Sequence, residues 1–131
     1  MIGLDTNILI RLLVQDDPAQ YQRALRLIVS SASDAVPVFV GIVTLVEFVW
    51  ALNKIYRYSE PEILSALDRV LTIEGVIVEN DEAVATAIGL CKSRGLSFAD
   101  AIICTIHGEM GCTQTVSFDL DLVRSGLAVE P

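Results

Sequence analysis

Short apolar segments alternate with long helical segments along the chain, and this alternation constrains the fold more than any other feature. Strands separated by helices need crossover connections, which join strands that run in the same direction. The sequence therefore predicts an α/β fold in which a parallel sheet carries helices on both faces. The predicted strands are Met1–Leu4, Val36–Gly41, Val76–Glu79, Gln114–Ser117 and Leu127–Glu130, and the predicted helices are Ile8–Val14, Pro18–Ser31, Leu45–Tyr58, Pro61–Leu71, Asp81–Arg94 and Phe98–Glu109.

Length and composition indicate one ordinary globular domain. With 131 residues, 53% of them hydrophobic and 20% charged, the chain can bury a core unaided, and we expect a single domain over residues 1–131. Its cysteines, Cys91, Cys104 and Cys112, lack CxxC spacing and are interpreted as reduced core residues. The longest uncharged run, residues 35–46, has 12 residues against the ~20 that a membrane helix needs. Without a signal-peptide pattern at the start, we expect a soluble cytoplasmic protein.

Acidic residues follow the predicted strands or open the predicted helices. Asp5 directly follows the first strand, Glu47 lies after the second, and Asp119 lies just past the fourth. Asp100 opens an otherwise apolar helix, and Asp121 follows Asp119 by two residues. Because ligands of open parallel sheets bind at the carboxyl ends of the strands, these side chains are expected to share one cleft.

Helix capping is the alternative interpretation of each acid. The segments Thr44–Glu47 and Ser97–Asp100 both match a capping box, with a hydroxyl at the N-cap and an acid three residues later. Asp5 and Asp119 could each be a simple N-cap. Capping does not exclude function, because a helix that starts at the edge of a sheet also places a side chain at a ligand site.

Convergence of the acids would require a compensating charge. Two carboxylates about 4 Å apart repel by about 4 kcal/mol at an effective dielectric constant near 20, against a total domain stability of roughly 5–15 kcal/mol. A bound cation would relieve this repulsion, and hard oxygen ligands favour Mg²⁺ or Mn²⁺ over zinc. The single histidine, His107, is expected to be a core or surface residue, and neither a Ser–His pair nor a glycine-rich phosphate loop is present.

Four segments of the chain resemble the PIN-domain family and, within it, the VapC toxins of VapBC toxin–antitoxin modules. They occur in the order typical of that family, and the match extends over the whole chain. The segments are Leu4–Leu9 (LDTNIL), Thr44–Phe48 (TLVEF), Leu96–Ile103 (LSFADAII) and Val116–Leu122 (VSFDLDL).

The resemblance implies a three-layer α/β/α sandwich with a mostly parallel, about five-stranded central sheet. It also implies cleavage of RNA phosphodiester bonds with Mg²⁺ or Mn²⁺, in which one or two ions activate water and stabilise the leaving oxygen. Asp5, Glu47, Asp100 and Asp119 match the acidic quartet of the family, as metal ligands and catalytic residues. We assign Asp5 and Asp100 to the primary ion, and Glu47 and Asp119 to a second ion or the water.

Further positions of the resemblance are supporting residues. Thr6, Asn7 and Ser117 match polar positions beside the quartet, and Asp121 is a possible outer member. Ser117 stands where the family often has threonine, which keeps the hydroxyl. The expected partners are a structured RNA, such as tRNA or an rRNA loop, a small VapB-type antitoxin, and a second copy in a homodimer.

The charge balance by itself argues against a nucleic-acid partner. The net charge is −8, whereas nucleic-acid-binding domains usually carry a basic surface. Two divalent ions would offset half of that excess, and we expect modest RNA affinity. Candidate contacts to the RNA backbone are Arg11, Arg94 and Arg124, with Lys54, Arg57 and Lys92 as further basic residues.

The aromatic residues near Glu47 are divided between core and surface. Phe48 and Trp50 are expected in the core, and Tyr56 and Tyr58 are expected to be more exposed.

Two other functions stay open on the sequence. The first is a phosphate-handling enzyme on a similar doubly wound sheet with Asp5 as nucleophile; against it, no second aspartate follows two residues later and no lysine ends a late strand. The second is a catalytically silent PIN fold that only binds; against it, all four acids are present.

Overall fold

The computed structural model describes residues 1–131 and contains seven helices and five strands, all of them paired in parallel. The chain divides into two compact units, Met1–Asp81 and Glu82–Pro131. The strands are β1 (Ile2–Gly3), β2 (Val38–Val40), β3 (Val76–Val78), β4 (Thr115–Val116) and β5 (Ala128–Val129). The helices are α1 (Thr6–Val14), α2 (Pro18–Ser33), α3 (Ile42–Lys54), α4 (Glu60–Thr72), α5 (Asp81–Arg94), α6 (Phe98–Glu109) and α7 (Leu120–Arg124).

The unit Met1–Asp81 is built on a three-stranded parallel sheet in the order β1-β2-β3. Val38 of the central strand pairs with Ile2 on one side and Val76 on the other. Val38 and Val40 are fully buried, as expected for the middle of a parallel sheet. Two helices connect each pair of consecutive strands. Because the strands are parallel, all three end at the same edge of the sheet.

Local capping explains where α2 and α4 begin. Asp17 precedes Pro18 and accepts a hydrogen bond from the Gln20 amide at 3.0 Å. Ser59 and Glu62 form a reciprocal capping box at the start of α4. Proline in the first turn favours both helix starts, since its missing N–H would have no partner there.

The unit Glu82–Pro131 contains a two-stranded parallel sheet in which Thr115 pairs with Ala128 and Val116 with Val129. His107 of α6 lies half-buried, with its Nδ1 2.9 Å from the Thr115 hydroxyl, and so ties α6 to β4. The sequence analysis expected a core or surface residue, and His107 lies between these, partly covered and bonded to β4. Helix α7, between β4 and β5, was not predicted from the sequence.

The predicted start of α3 is wrong. The capping-box interpretation placed Thr44 at the N-cap, but the helix begins at Ile42 with Gly41 as N-cap. Gly41 has no side chain to cap the helix, and Glu79, just past β3, accepts the Ile42 N–H at 2.7 Å instead. A partner 37 residues away therefore fixes this helix start.

Four side-chain positions also differ from expectation. Trp50 is 57% exposed because it lies almost opposite Phe48, which faces the core from the same helix. Cys112 is exposed in the turn after α6 rather than in the core, although none of the cysteines forms a disulfide. Tyr56 and Tyr58 are half-buried. No helix of the structure has the length and apolar character required to cross a membrane.

Candidate active site

Thr6 binds both Asp5 and Glu47, the first through its backbone amide and the second through its side-chain hydroxyl. Asp5 is the exposed N-cap of α1, and its Oδ1 accepts the Thr6 amide at 2.9 Å. The hydroxyl of Thr6 donates to Glu47 Oε2 at 2.7 Å, and Thr6 itself is only 7% exposed. The structure thus holds Glu47, in the second turn of α3, against the start of α1.

The local sequence explains this arrangement. Leu4 is buried and its amide donates to the Phe39 carbonyl at 2.8 Å, so the chain stays in the sheet up to the residue before Asp5. Asp5 then ends the extended segment and caps the helix with its side chain. Thr6, the first residue of that helix, directs its hydroxyl toward α3. One oxygen each of Asp5 and Glu47 takes part in these bonds, and Asp5 Oδ2 and Glu47 Oε1 make no hydrogen bond.

Glu79 is a third acid at the same edge of this sheet, and the sequence analysis did not single it out. It directly follows β3, and its Oε2 binds the first amide of α3. An acid that directly follows a strand is a candidate site residue, but the sequence analysis counted Glu79 as the last residue of the predicted strand Val76–Glu79. Glu79 positions the helix that carries Glu47.

Asp100 occupies the first turn of α6 and is half-buried. The Ser97 hydroxyl accepts the Asp100 amide at 3.1 Å, which confirms Ser97 as N-cap. The Asp100 carboxylate makes no hydrogen bond of its own, so the reciprocal half of the capping box is absent. That carboxylate is therefore open to a ligand.

Asp119 is the N-cap of α7, and the capping interpretation is confirmed for it as for Asp5. Its Oδ1 accepts the amides of Asp121 at 2.9 Å and Leu122 at 3.3 Å. Ser117 supports it from the other side, since its hydroxyl accepts the Asp119 amide at 3.0 Å. Asp119 and Asp121 are both exposed.

The donor atoms at these positions are chemically suited to a hard divalent cation. Carboxylate and hydroxyl oxygens are the ligands that Mg²⁺ and Mn²⁺ prefer, and Asp5 and Glu47 each keep one oxygen outside the hydrogen-bond network. The structure contains no group of three or more His, Cys, Asp or Glu side chains arranged to hold a metal ion.

The three arginines predicted to contact RNA each have a partner within the protein. Arg11 lies 2.6 Å from Asp16 Oδ1 and 2.6 Å from Gln20 Oε1. Burial acts to lower the pKa of Arg11, but the charge of Asp16 and the hydrogen bond to it outweigh this and raise the pKa. Arg94 donates to the Ser125 carbonyl, and Arg124 forms a mostly exposed pair with Asp121 at 3.3 Å.

Comparison with known proteins gives one finding that bears on this site. No curated protein matches the sequence. The sequence profile of the PIN domain family matches residues 2–126, which include all seven helices, four of the five strands and the four candidate acids. PIN domains are generally nucleases with an α/β/α fold, in agreement with the parallel strands and intervening helices described above. The chain belongs to the PIN domain family.

Proposed function

We propose that this protein is a metal-dependent endoribonuclease that hydrolyses RNA phosphodiester bonds through Asp5, Glu47, Asp100 and Asp119. The observation that carries the proposal is the bond from Thr6 to Glu47, which fixes one candidate acid beside the helix start that Asp5 caps. Membership of a family of nucleases supports it. The match to residues 2–126 spans both compact units, which supports one PIN-like domain over residues 1–131.

The residues of the first unit orient two carboxylates before any ligand binds. Backbone and hydroxyl donors of Thr6 each hold one carboxylate oxygen, and the second oxygen of each acid is left for a cation. Mg²⁺ or Mn²⁺ bound at these acids would supply Lewis-acid chemistry for phosphate hydrolysis. Asp100, Asp119 and the supporting Asn7, Ser117 and Asp121 complete the proposed set.

We further propose that the protein is a VapC-type toxin of a type II toxin–antitoxin pair that acts in the cytoplasm. The four sequence segments that match the VapC pattern support this assignment. The net charge of −8 suits inhibition by a basic segment of a VapB-type antitoxin, since opposite charges favour association. The proposed assembly is a homodimer, and the proposed substrate is a structured tRNA or rRNA.

Cleavage of labelled tRNA and rRNA fragments in Mg²⁺ or Mn²⁺, against EDTA, tests the activity. Asp5→Asn is the decisive variant, because asparagine still caps a helix but carries no charge for a cation. Asp17→Asn is the matched control, since Asp17 is likewise an aspartate N-cap, of α2, and its side chain accepts the Gln20 amide. We expect cleavage that needs the metal, survives in Asp17→Asn and is lost in Asp5→Asn. Equal cleavage in both variants would overturn the assignment.

A thermal melt with Mn²⁺ gives a readout independent of the substrate. A ligand at about 100 times its Kd stabilises the folded state by about 2.7 kcal/mol. We expect Mn²⁺ to raise the Tm of the native protein and of Asp17→Asn but not of Asp5→Asn. RNA binding without any metal-dependent shift or cleavage would instead identify a binding module.

A further inference from the structure

A cavity of about 490 Å³ lies between α1 and α2, within the unit Met1–Asp81. This volume is in the range of small-ligand sites. Asn7 lines it, two residues after Asp5, so the cavity opens beside the helix start that carries a candidate acid. Its other polar lining residues are Arg11, Gln20 and Arg23, and buried Ala24 contributes to the apolar part of the wall.

The two arginines of this cavity differ in their availability. Arg11 is half-buried and its charge is balanced by Asp16 at 2.6 Å. Arg23 is exposed, and the structure gives it no ion pair or hydrogen bond. In a protein with a net charge of −8, Arg23 is a positive charge that remains free to bind an anion at the cavity.

The hydrogen bond between Arg11 and Gln20 fixes what Gln20 presents to a ligand. Gln20 accepts from Arg11 Nε at 2.6 Å, so the atom on that side of the amide is its oxygen. The NH₂ group of Gln20 is left as a donor. Arg23 and Gln20 therefore offer donors, and Ile8 and Leu27 offer apolar surface that suits the face of a base.

We infer that this α1–α2 cavity binds one nucleotide of the RNA next to the cleaved bond, with Arg23 on its phosphate and the Gln20 NH₂ on its base. The inference rests on the proposed ribonuclease function, which makes RNA the ligand. A keto oxygen, as in uracil O4 or guanine O6, accepts from that NH₂ group. At the same position of the base edge, the amino groups at cytosine N4 and adenine N6 would place donor against donor. The cavity therefore selects keto bases at this position.

Binding of labelled single-stranded oligouridine and oligocytidine of equal length tests the inference. Anisotropy is measured with Mg²⁺ in the Asp5→Asn background, which keeps the RNA intact. Arg23→Ala is compared with Arg26→Ala, because Arg26 is an exposed arginine on the same helix that does not line the cavity. We expect Arg23→Ala to weaken oligouridine binding about tenfold and to reduce the salt slope by about 0.7, the contribution of one phosphate contact on a single strand. Arg26→Ala should change neither quantity.

Gln20→Glu tests the base preference. Glutamate keeps an oxygen for Arg11 and replaces the donor by an acceptor, so the preference for oligouridine over oligocytidine, about tenfold in the parent protein, should disappear or reverse. The ratio of the two affinities is the readout, because the added charge weakens both. An unchanged ratio, or equal effects of Arg23→Ala and Arg26→Ala, overturns the cavity assignment.

The outcomes for the cavity and for the nuclease are separable. Metal-dependent cleavage with no difference between Arg23→Ala and Arg26→Ala would leave the nuclease intact and reject the cavity. The predicted binding differences without any cleavage would reject the nuclease and retain the cavity as an RNA site. Failure of both oligonucleotides to bind the parent protein overturns the cavity assignment, and the cleavage assay on structured RNA decides the nuclease independently.

Discussion

The two compact units hold their candidate acids in different ways. In Met1–Asp81, Thr6 reaches across 41 residues to fix Glu47, so two acids on different helices are coupled. In Glu82–Pro131, the hydrogen bonds at Asp100 and Asp119 join residues within three positions of each other. Both units have an acid as a local N-cap, Asp5 in the first and Asp119 in the second, but the first also positions Glu47 through a tertiary contact.

This difference predicts that substitutions in the two units will affect activity and stability differently. A local cap contributes stability to its own helix, whereas a contact between helices orients a side chain without building either helix. Substitutions should therefore affect mainly activity at Thr6 and both activity and stability at Asp119. The following predictions test that contrast, in order of expected effect.

Asp100→Asn should reduce cleavage by more than about a hundredfold, an effect larger than that of losing a supporting residue, and leave the fold intact. The Asp100 carboxylate makes no hydrogen bond in the protein, so its charge is dispensable for folding. RNA cleavage and a urea melt of the same sample give the two quantities. Asp34→Asn, an exposed acid after α2, is the control and should keep full activity. Substantial residual cleavage would remove Asp100 from the proposed metal ligands.

Thr6→Val should lower cleavage by about ten- to a hundredfold, in the range for loss of a supporting contact. The change keeps the shape of the side chain and removes the hydroxyl that holds Glu47. Initial cleavage rates measure the effect, and Thr6→Ser should restore most of the rate.

The control for Thr6 is Thr105→Val, in the other unit. The hydroxyl of Thr105 donates to the Ala101 carbonyl of its own helix at 2.7 Å, so its loss should leave the rate unchanged. Equal rates in Thr6→Val and Thr105→Val would mean that the bond across the two helices has no role in activity.

Asp119→Ala should lower the free energy of unfolding by about 1 kcal/mol, the usual cost of removing an N-cap. Asp119→Asn keeps the Oδ1 acceptor for Asp121 and Leu122 and should cost only a few tenths of that. Both variants should lose cleavage, because both lack the carboxylate charge. Urea denaturation without metal distinguishes them, and identical midpoints would show that the cap of α7 adds no stability.

Glu62→Gln should flatten the dependence of stability on pH in the acid range. Hydrogen bonds from the Ser59 hydroxyl and backbone lower the pKa of Glu62 below its usual range. Its contribution is therefore complete above the unfolded-state pKa of about 4.3 and is lost as pH falls through the lower folded-state pKa. The effect is small because Glu62 is exposed.

Urea midpoints at neutral and acid pH measure this change. Glu60→Gln is the control, since Glu60 lies in the same first turn but outside the capping box. If both substitutions alter the pH dependence alike, the capping box is not its source.

Prediction from the sequence was most successful where structure depends on neighbours within one or two turns. The bounds of α5 and α6 agree with those predicted, and the caps formed by Asp5, Ser97 and Asp119 were all identified as possibilities. The parallel arrangement followed from strands separated by helices. The four acidic segments indicated the family that the profile match then established.

The sequence by itself determined the family, the order of the strands and of the helices other than α7, and the caps at Asp5, Ser97 and Asp119, because those depend on residues close together in the chain. Only the tertiary structure decided that Glu79 starts α3, that Thr6 holds Glu47, and that Arg11 is occupied while Arg23 is not. The tertiary structure also decided that Trp50 is exposed, since the helices and strands packed against α3 determine which of its faces is buried. Such contacts join residues far apart in sequence, and their geometry exists only after the helices pack on the sheet.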